Sequence, residues 1–102
     1  MRITVRHRGD IEDAKRQIEH AVERLGSVNV PGALEISRVE KRWNGMTLEF
    51  SLYAAVGPFR SPIRGLGIVT EKDIILDIDL PKLLTALVPE IALETTVRGL
   101  LT

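Results

Sequence analysis

Residues 34–56 read LEISRVEKRWNGMTLEFSLYAAV, and the Asn44-Gly45 pair inside them decides how the chain folds. Asn-Gly between two alternating apolar runs is a strong hairpin signal, because a two-residue turn needs φ above zero. Strands over 34–43 and 46–56 are therefore predicted. On the second, Met46, Leu48, Phe50, Leu52, Ala54 and Val56 share one face. With Asn44-Gly45 as the loop, Trp43 is expected opposite Met46, Lys41 opposite Leu48 and Val39 opposite Phe50. The same register sets Glu40 against Glu49, so either a bulge intervenes or the two carboxylates splay into water. Leu34 and Ile36 have the opposite parity to Val39 and Trp43. A bulge near Ser37-Arg38 brings both pairs to the core.

After the chain break at Gly57-Pro58, a second hairpin is expected from about Ile63 to Val69 and from Ile74 to Leu80, around Thr70-Glu71-Lys72-Asp73. Pairing Val69 with Ile74 places Gly67 opposite Leu76 and Gly65 opposite Ile78. The two glycines then leave room for a helix to lie close on the sheet. The other face holds Arg64 opposite Asp79, Leu66 opposite Asp77 and Ile68 opposite Ile75.

The flanks are helical. At the N-terminus, Ile3 and Val5 alternate with polar residues as a short strand. Asp10 caps a helix whose apolar stripe is Ile11, Ala14, Ile18, Ala21, Val22 and Leu25, with Gly26 as its stop. Ser27 to Gly32 reads as a loop. Pro81 is expected in the first turn of the last helix, where Leu83, Leu84, Leu87, Val88 and Ile91 form the stripe. Pro89 kinks or splits that helix, and Leu93, Val97, Leu100 and Leu101 continue the pattern. The order β-α-β-β-β-β-α predicts an α+β fold: one domain over 1–102, an antiparallel meander sheet with helices packed on one face.

The 102 residues carry 14 basic and 14 acidic groups, a balance that argues against backbone-driven nucleic-acid binding. There is no cysteine, which excludes disulfides and thiolate chemistry. No apolar run reaches the roughly 18 residues of a membrane span, and no signal-peptide core opens the chain. A cytoplasmic protein with no membrane span is expected.

Two stretches carry a resemblance. Trp43-Asn44-Gly45-Met46-Thr47-Leu48-Glu49-Phe50 looks like a W-x-G-x-x-L-x-F hairpin, and Val69 to Leu84 looks like V-x-x-x-x-I-x-L-x-I-D-L-P-x-L-L. With His7 and the charged Asp13-Ala14-Lys15-Arg16 segment, the chain resembles the small bacterial polyhydroxyalkanoic acid system proteins, also called polyhydroxyalkanoate granule-region proteins. The stretch Ala54 to Gly65 and the proline in the final helix depart from that pattern. The resemblance implies a bacterial cytoplasmic accessory of polyester storage granules and carries no reaction with it.

No catalytic constellation is read from the residues. His7 lies at a strand end and His20 on the wet side of a helix, neither in a triad or metal spacing. Asp73, Asp77 and Asp79 share a strand face, a pattern that suits a hard cation or an edge protected from aggregation, and the second is the expectation here. The glycines of Gly65-Leu66-Gly67 run into a strand, not a helix N-terminus, so they form no phosphate loop. Lys41-Arg42-Trp43 with Arg38, Arg60 and Arg64 is the one basic–aromatic cluster, too poor in aromatics for a nucleic-acid platform. No cofactor or metal is expected.

The apolar surplus on the outer sheet face is the more informative feature. Tyr53, Leu66, Ile68 and Ile75 lie there, joined by Ile36 if no bulge forms. Unless Pro58-Phe59 or the terminal helix folds across them, they mark an interaction surface. The expected role is a non-enzymatic interaction module, acting through this face and the C-terminal helix. Its expected partner is a second copy, a polyester granule surface or a granule protein. The alternative is a small carrier holding an apolar ligand between Trp43, Phe50 and the final helix.

Overall fold

The computed structural model describes residues 1–25 and 34–101, apart from the side chains of Leu83 and Leu87. The expected stop at Gly26, the loop 27–32 and the places of Leu83 and Leu87 in the stripe lie outside the described residues. The elements are β1 (Arg2–Arg6), α1 (Ile11–Arg24), β2 (Leu34–Asn44), β3 (Thr47–Val56), β4 (Phe59–Val69), β5 (Asp73–Asp79), α2 (Lys82–Leu87) and α3 (Glu90–Leu101). The strands form one antiparallel sheet in the order β1-β5-β4-β3-β2. This is the predicted α+β meander, with β1 added beside β5.

Side chains alternate across the sheet, and one face is covered. Ile3, Leu48, Phe50, Leu52, Ile74 and Leu76 are buried there, together with Ala14, Ile18 and Val22 of α1 and Leu93, Val97 and Leu101 of α3. Asp10 caps α1 as expected, its carboxylate accepting the Asp13 amide at 2.8 Å. The second hairpin has the predicted register throughout, with Val69 opposite Ile74, Gly67 opposite Leu76 and Gly65 opposite Ile78. A Cβ on Gly67 would collide with Ile18 of α1, and one on Gly65 with the ring of Phe50. The missing side chains are what let the helix and that ring settle onto the sheet.

The first hairpin differs from expectation by one position. Asn44 pairs with Thr47, Trp43 with Leu48 and Lys41 with Phe50, so the loop is Gly45-Met46. Among the loop residues only Gly45 has a positive φ, of 62°, which is the type II′ pattern with glycine first. The shift removes the Glu40–Glu49 clash. Glu49 instead faces Arg42, with 3.0 Å between Oε2 and Nη2. The predicted bulge is present between Ser37 and Glu40, and Arg38 within it has φ 53°. It lets Leu34, Ile36, Val39 and Trp43 all reach or border the core.

Two further boundaries move. The second hairpin's first strand begins at Phe59, not near Ile63, because Gly57-Pro58 is itself a tight turn pairing Val56 with Phe59. Pro62 is tolerated inside β4 because it lies past the end of β5, where no ladder needs its amide. Strands β2, β3 and β4 thus extend beyond β5 as a three-stranded arm. Pro81 stands just before α2 with extended backbone instead of in its first turn. Pro89 splits the last helix: α2 ends at Leu87, and the Pro89 carbonyl accepts the first amides of α3 from Ala92 and Leu93.

Candidate interaction surface

The outer face is built in rows by the register of the ladder. One row runs Thr4, Ile75, Ile68, Thr47, Asn44 from β1 to β2. The next runs Arg2, Asp77, Leu66, Glu49, Arg42. Ile68 and Ile75 are direct cross-strand partners and Leu66 is the next outward residue on β4, so three of the four predicted surface residues form one patch. Leu66 is 41% exposed. Charges close the patch at both sides, with Arg2 Nε 3.9 Å from Asp77 and Arg42 paired to Glu49. Met46, also exposed, extends it at the hairpin end, where its carbonyl accepts the Val69 amide at 3.0 Å. Sequence parity missed Met46 as a surface residue because the expected register put it in a strand opposite Trp43.

Tyr53 does not belong to that patch. It pairs with Pro62 on the arm, four residues along β3 from the Leu66 row, about 13 Å away. Ser51 and Arg64 lie between. Ile36 is on the covered face, as the bulge requires.

The two expected covers are placed elsewhere. Phe59 is a β4 residue of the helix-side parity, at the exposed arm tip. The terminal helix packs its buried residues behind the sheet, against α1 and β1. The C-terminal helix and the outer patch are consequently on opposite sides, and no single flat contact engages both. On α3 only Ile91 stands well out of the protein among the large apolar residues described, at 73% exposure.

The basic–aromatic cluster read from the sequence is divided by the sheet. Lys41 and Trp43 face α1. Lys41 Nζ binds Glu23 and lies 3.1 Å from Glu19, and Trp43 Nε1 donates to Glu19 at 3.4 Å while Lys15 Nζ sits 4.7 Å from the ring centre. The Lys41 hydrogen bond holds the Glu19 carboxyl below its usual range, and Glu23 and Glu19 raise Lys41. Arg38, Arg60 and Arg64 are on the arm around Tyr53.

His7 is buried, with Nε2 2.8 Å from the Thr70 carbonyl oxygen and Nδ1 3.2 Å from that of Gly9. It ties the end of β1 to the β4–β5 loop. His20 is exposed on α1. Among the described residues no three His, Asp or Glu side chains converge as a metal site, and no helix is long and apolar enough to cross a membrane. Phe50 lies under Gly65, and Trp43 lies beside α1. The apolar cavity between the sheet and the last helices, walled by Leu34, Leu52, Ile78, Leu84 and Val97, has a volume of about 40 Å³. Ligand pockets run to roughly 300–1,000 Å³.

No family model, curated protein or solved structure matches the chain.

Proposed function

We propose that this chain is a non-enzymatic interaction module whose outer sheet face docks a second copy of itself, and that it serves as a cytoplasmic accessory of a bacterial polyester-storage system. The observation that carries the docking is the contiguous Leu66–Ile68–Ile75 patch, which no described element overlies. Fully burying one such side chain stabilises by about 1.5–3 kcal/mol; Ile68 and Ile75 are half-buried already, so each contributes less than that toward the cost of association.

The charges around the patch favour a second copy as its occupant. A two-fold axis along the strands, between β4 and β5, exchanges those strands and also β1 with β3. It sets Ile75 on the partner's Ile68, Arg2 on the partner's Glu49 and Asp79 on the partner's Arg64. The isoleucines meet each other and both charge pairs are of opposite sign, while Leu66 meets the partner's Asp77.

The polyester assignment rests on the resemblance of the Trp43–Phe50 and Val69–Leu84 stretches. Co-sedimentation with polyhydroxyalkanoate particles tests it. Parent protein is expected to pellet with the particles, and not with polysaccharide particles of the same size. Failure to pellet at any protein concentration contradicts the storage-system role while leaving the docking face to its own test.

A further inference from the structure

We propose that the arm end of the outer face is a second site, which binds the phosphate or diphosphate group of a small phosphorylated ligand. Its cationic clamp is Arg38 and Arg60, set about Tyr53.

The register brings these residues together from three strands. Tyr53 is on β3, Arg60 lies diagonally across from it on β4, and Arg38 comes from the bulge of β2. The Arg60 guanidinium carbon is 4.8 Å from the Tyr53 ring centre and that of Arg38 is 6.0 Å away. A ring at this range attracts a guanidinium and fixes its plane, and the N–H donors at the edge of that plane remain available.

Those donors have no carboxylate to satisfy them. Arg2, Arg16 and Arg42 each form an ion pair, whereas no ion pair or hydrogen bond within the described residues engages Arg38, Arg60 or Arg64. The three are gathered on one end of one face of a chain with no net charge. Beside them is an open depression of about 260 Å³, lined by Arg38, Ser51, Tyr53 and Arg64 and by one carboxylate, Glu40. The lining of the depression is positive by one, Arg38 and Arg64 against Glu40; Glu35 stands across Ala55 from Arg60 and Asp79 opposite Arg64, and the Ser51 and Tyr53 hydroxyls offer neutral donors. Guanidinium forks on either side of one ring suit a multiply charged oxyanion.

Arg38 supplies an independent reason. It occupies the left-handed region at φ 53°, in a bulge position where glycine fits without strain. A long cationic side chain held at that cost is explained by what the side chain does, and it lies exposed over Tyr53 at the edge of the depression. The site does not depend on the docking reading. Under the two-fold proposed above, β1 and β5 of the copy end before the arm, so Arg38, Arg60 and Tyr53 remain open, with Arg64 at the border.

Calorimetric titration of the full chain with pyrophosphate tests the proposal, alongside sulfate at equal ionic strength. The expected result is saturable binding of pyrophosphate, tighter than that of sulfate. Arg60→Gln and Arg38→Gly each weaken it by about tenfold or more. Arg38→Gly also relieves the backbone, so its melting temperature is expected to be no lower than the parent's, and lost binding then cannot be ascribed to unfolding. Tyr53→Phe is expected to retain most of the affinity because the ring is kept. No binding by the parent at millimolar pyrophosphate overturns the proposal, as does unchanged affinity in both arginine variants. Binding of a single-stranded oligonucleotide or of anionic phospholipid vesicles without binding of pyrophosphate likewise overturns the small-ligand reading.

Discussion

Lys41 stands opposite Phe50 on the covered face of the sheet, and its Nζ is 3.1 Å from the Glu19 carboxylate on α1. Glu23 binds the same ammonium, so a charge on the helix side is matched by two. The pairing clips the edge strand β2 to α1. Both groups are partly solvated, so the stabilisation is small, about 0.5–1 kcal/mol. Lys41→Met is expected to lower stability by that amount at pH 7. Glu19 is held below its unfolded value near about 4.3, so its contribution is full above that pH and is lost as pH falls through the folded value. Lys41 is raised, so its contribution is full below about 10.4 and is lost as pH rises through its folded value. Denaturant midpoints of parent and variant are therefore expected to differ across the neutral range and to converge below about pH 4.

Gly67 lies beneath Ile18, whose Cδ1 a Cβ there would meet. Gly67→Leu is expected to cost about 1–3 kcal/mol or more through overpacking, read as a lower melting temperature. An unchanged melting temperature would contradict the placement of α1 on this face.

Gly45 has φ 62° at the first position of the β2–β3 loop, with open space where a Cβ would be. Gly45→Val is expected to destabilise by about 1–3 kcal/mol from backbone strain alone. Gly45→Asn, which tolerates that region better, is expected to lose less. Thermal unfolding of the two variants separates strain from any steric cause.

His7 bridges two backbone carbonyls from a buried position. His7→Phe removes the ring N–H that one of these oxygens accepts and is expected to cost about 1–3 kcal/mol. Faster amide exchange at Thr70 to Lys72 would show that the loss is local to the β4–β5 loop.

Most of the fold was legible because periodicity and turn chemistry agree. The α1 stripe with its Asp10 cap, the whole β4–β5 register and the role of Gly67 follow from spacing alone. The β2–β3 register slipped because Asn44-Gly45 satisfies a type I′ loop equally well. The preference for Gly45-Met46 comes from the cross-strand term, which exchanges Glu40 against Glu49 for Arg42 against Glu49. The start of β4 was missed because Gly-Pro reads as a break, when here it is the turn itself. The patch of Leu66, Ile68 and Ile75 was visible as strand parity. The arginines around Tyr53 were not visible as a separate group. Adjacent residues of β2 point to opposite faces, and the parity of Arg38 depends on the bulge.

Light scattering of the parent and of Ile75→Lys across a range of concentrations tests the docking face most directly. The chain is expected to have twice its 11.4 kDa mass, and Ile75→Lys is expected to be a folded monomer, because a lysine on the partner's Ile68 cannot be buried unpaired. A parent that is monomeric at every concentration would contradict the docking of a second copy.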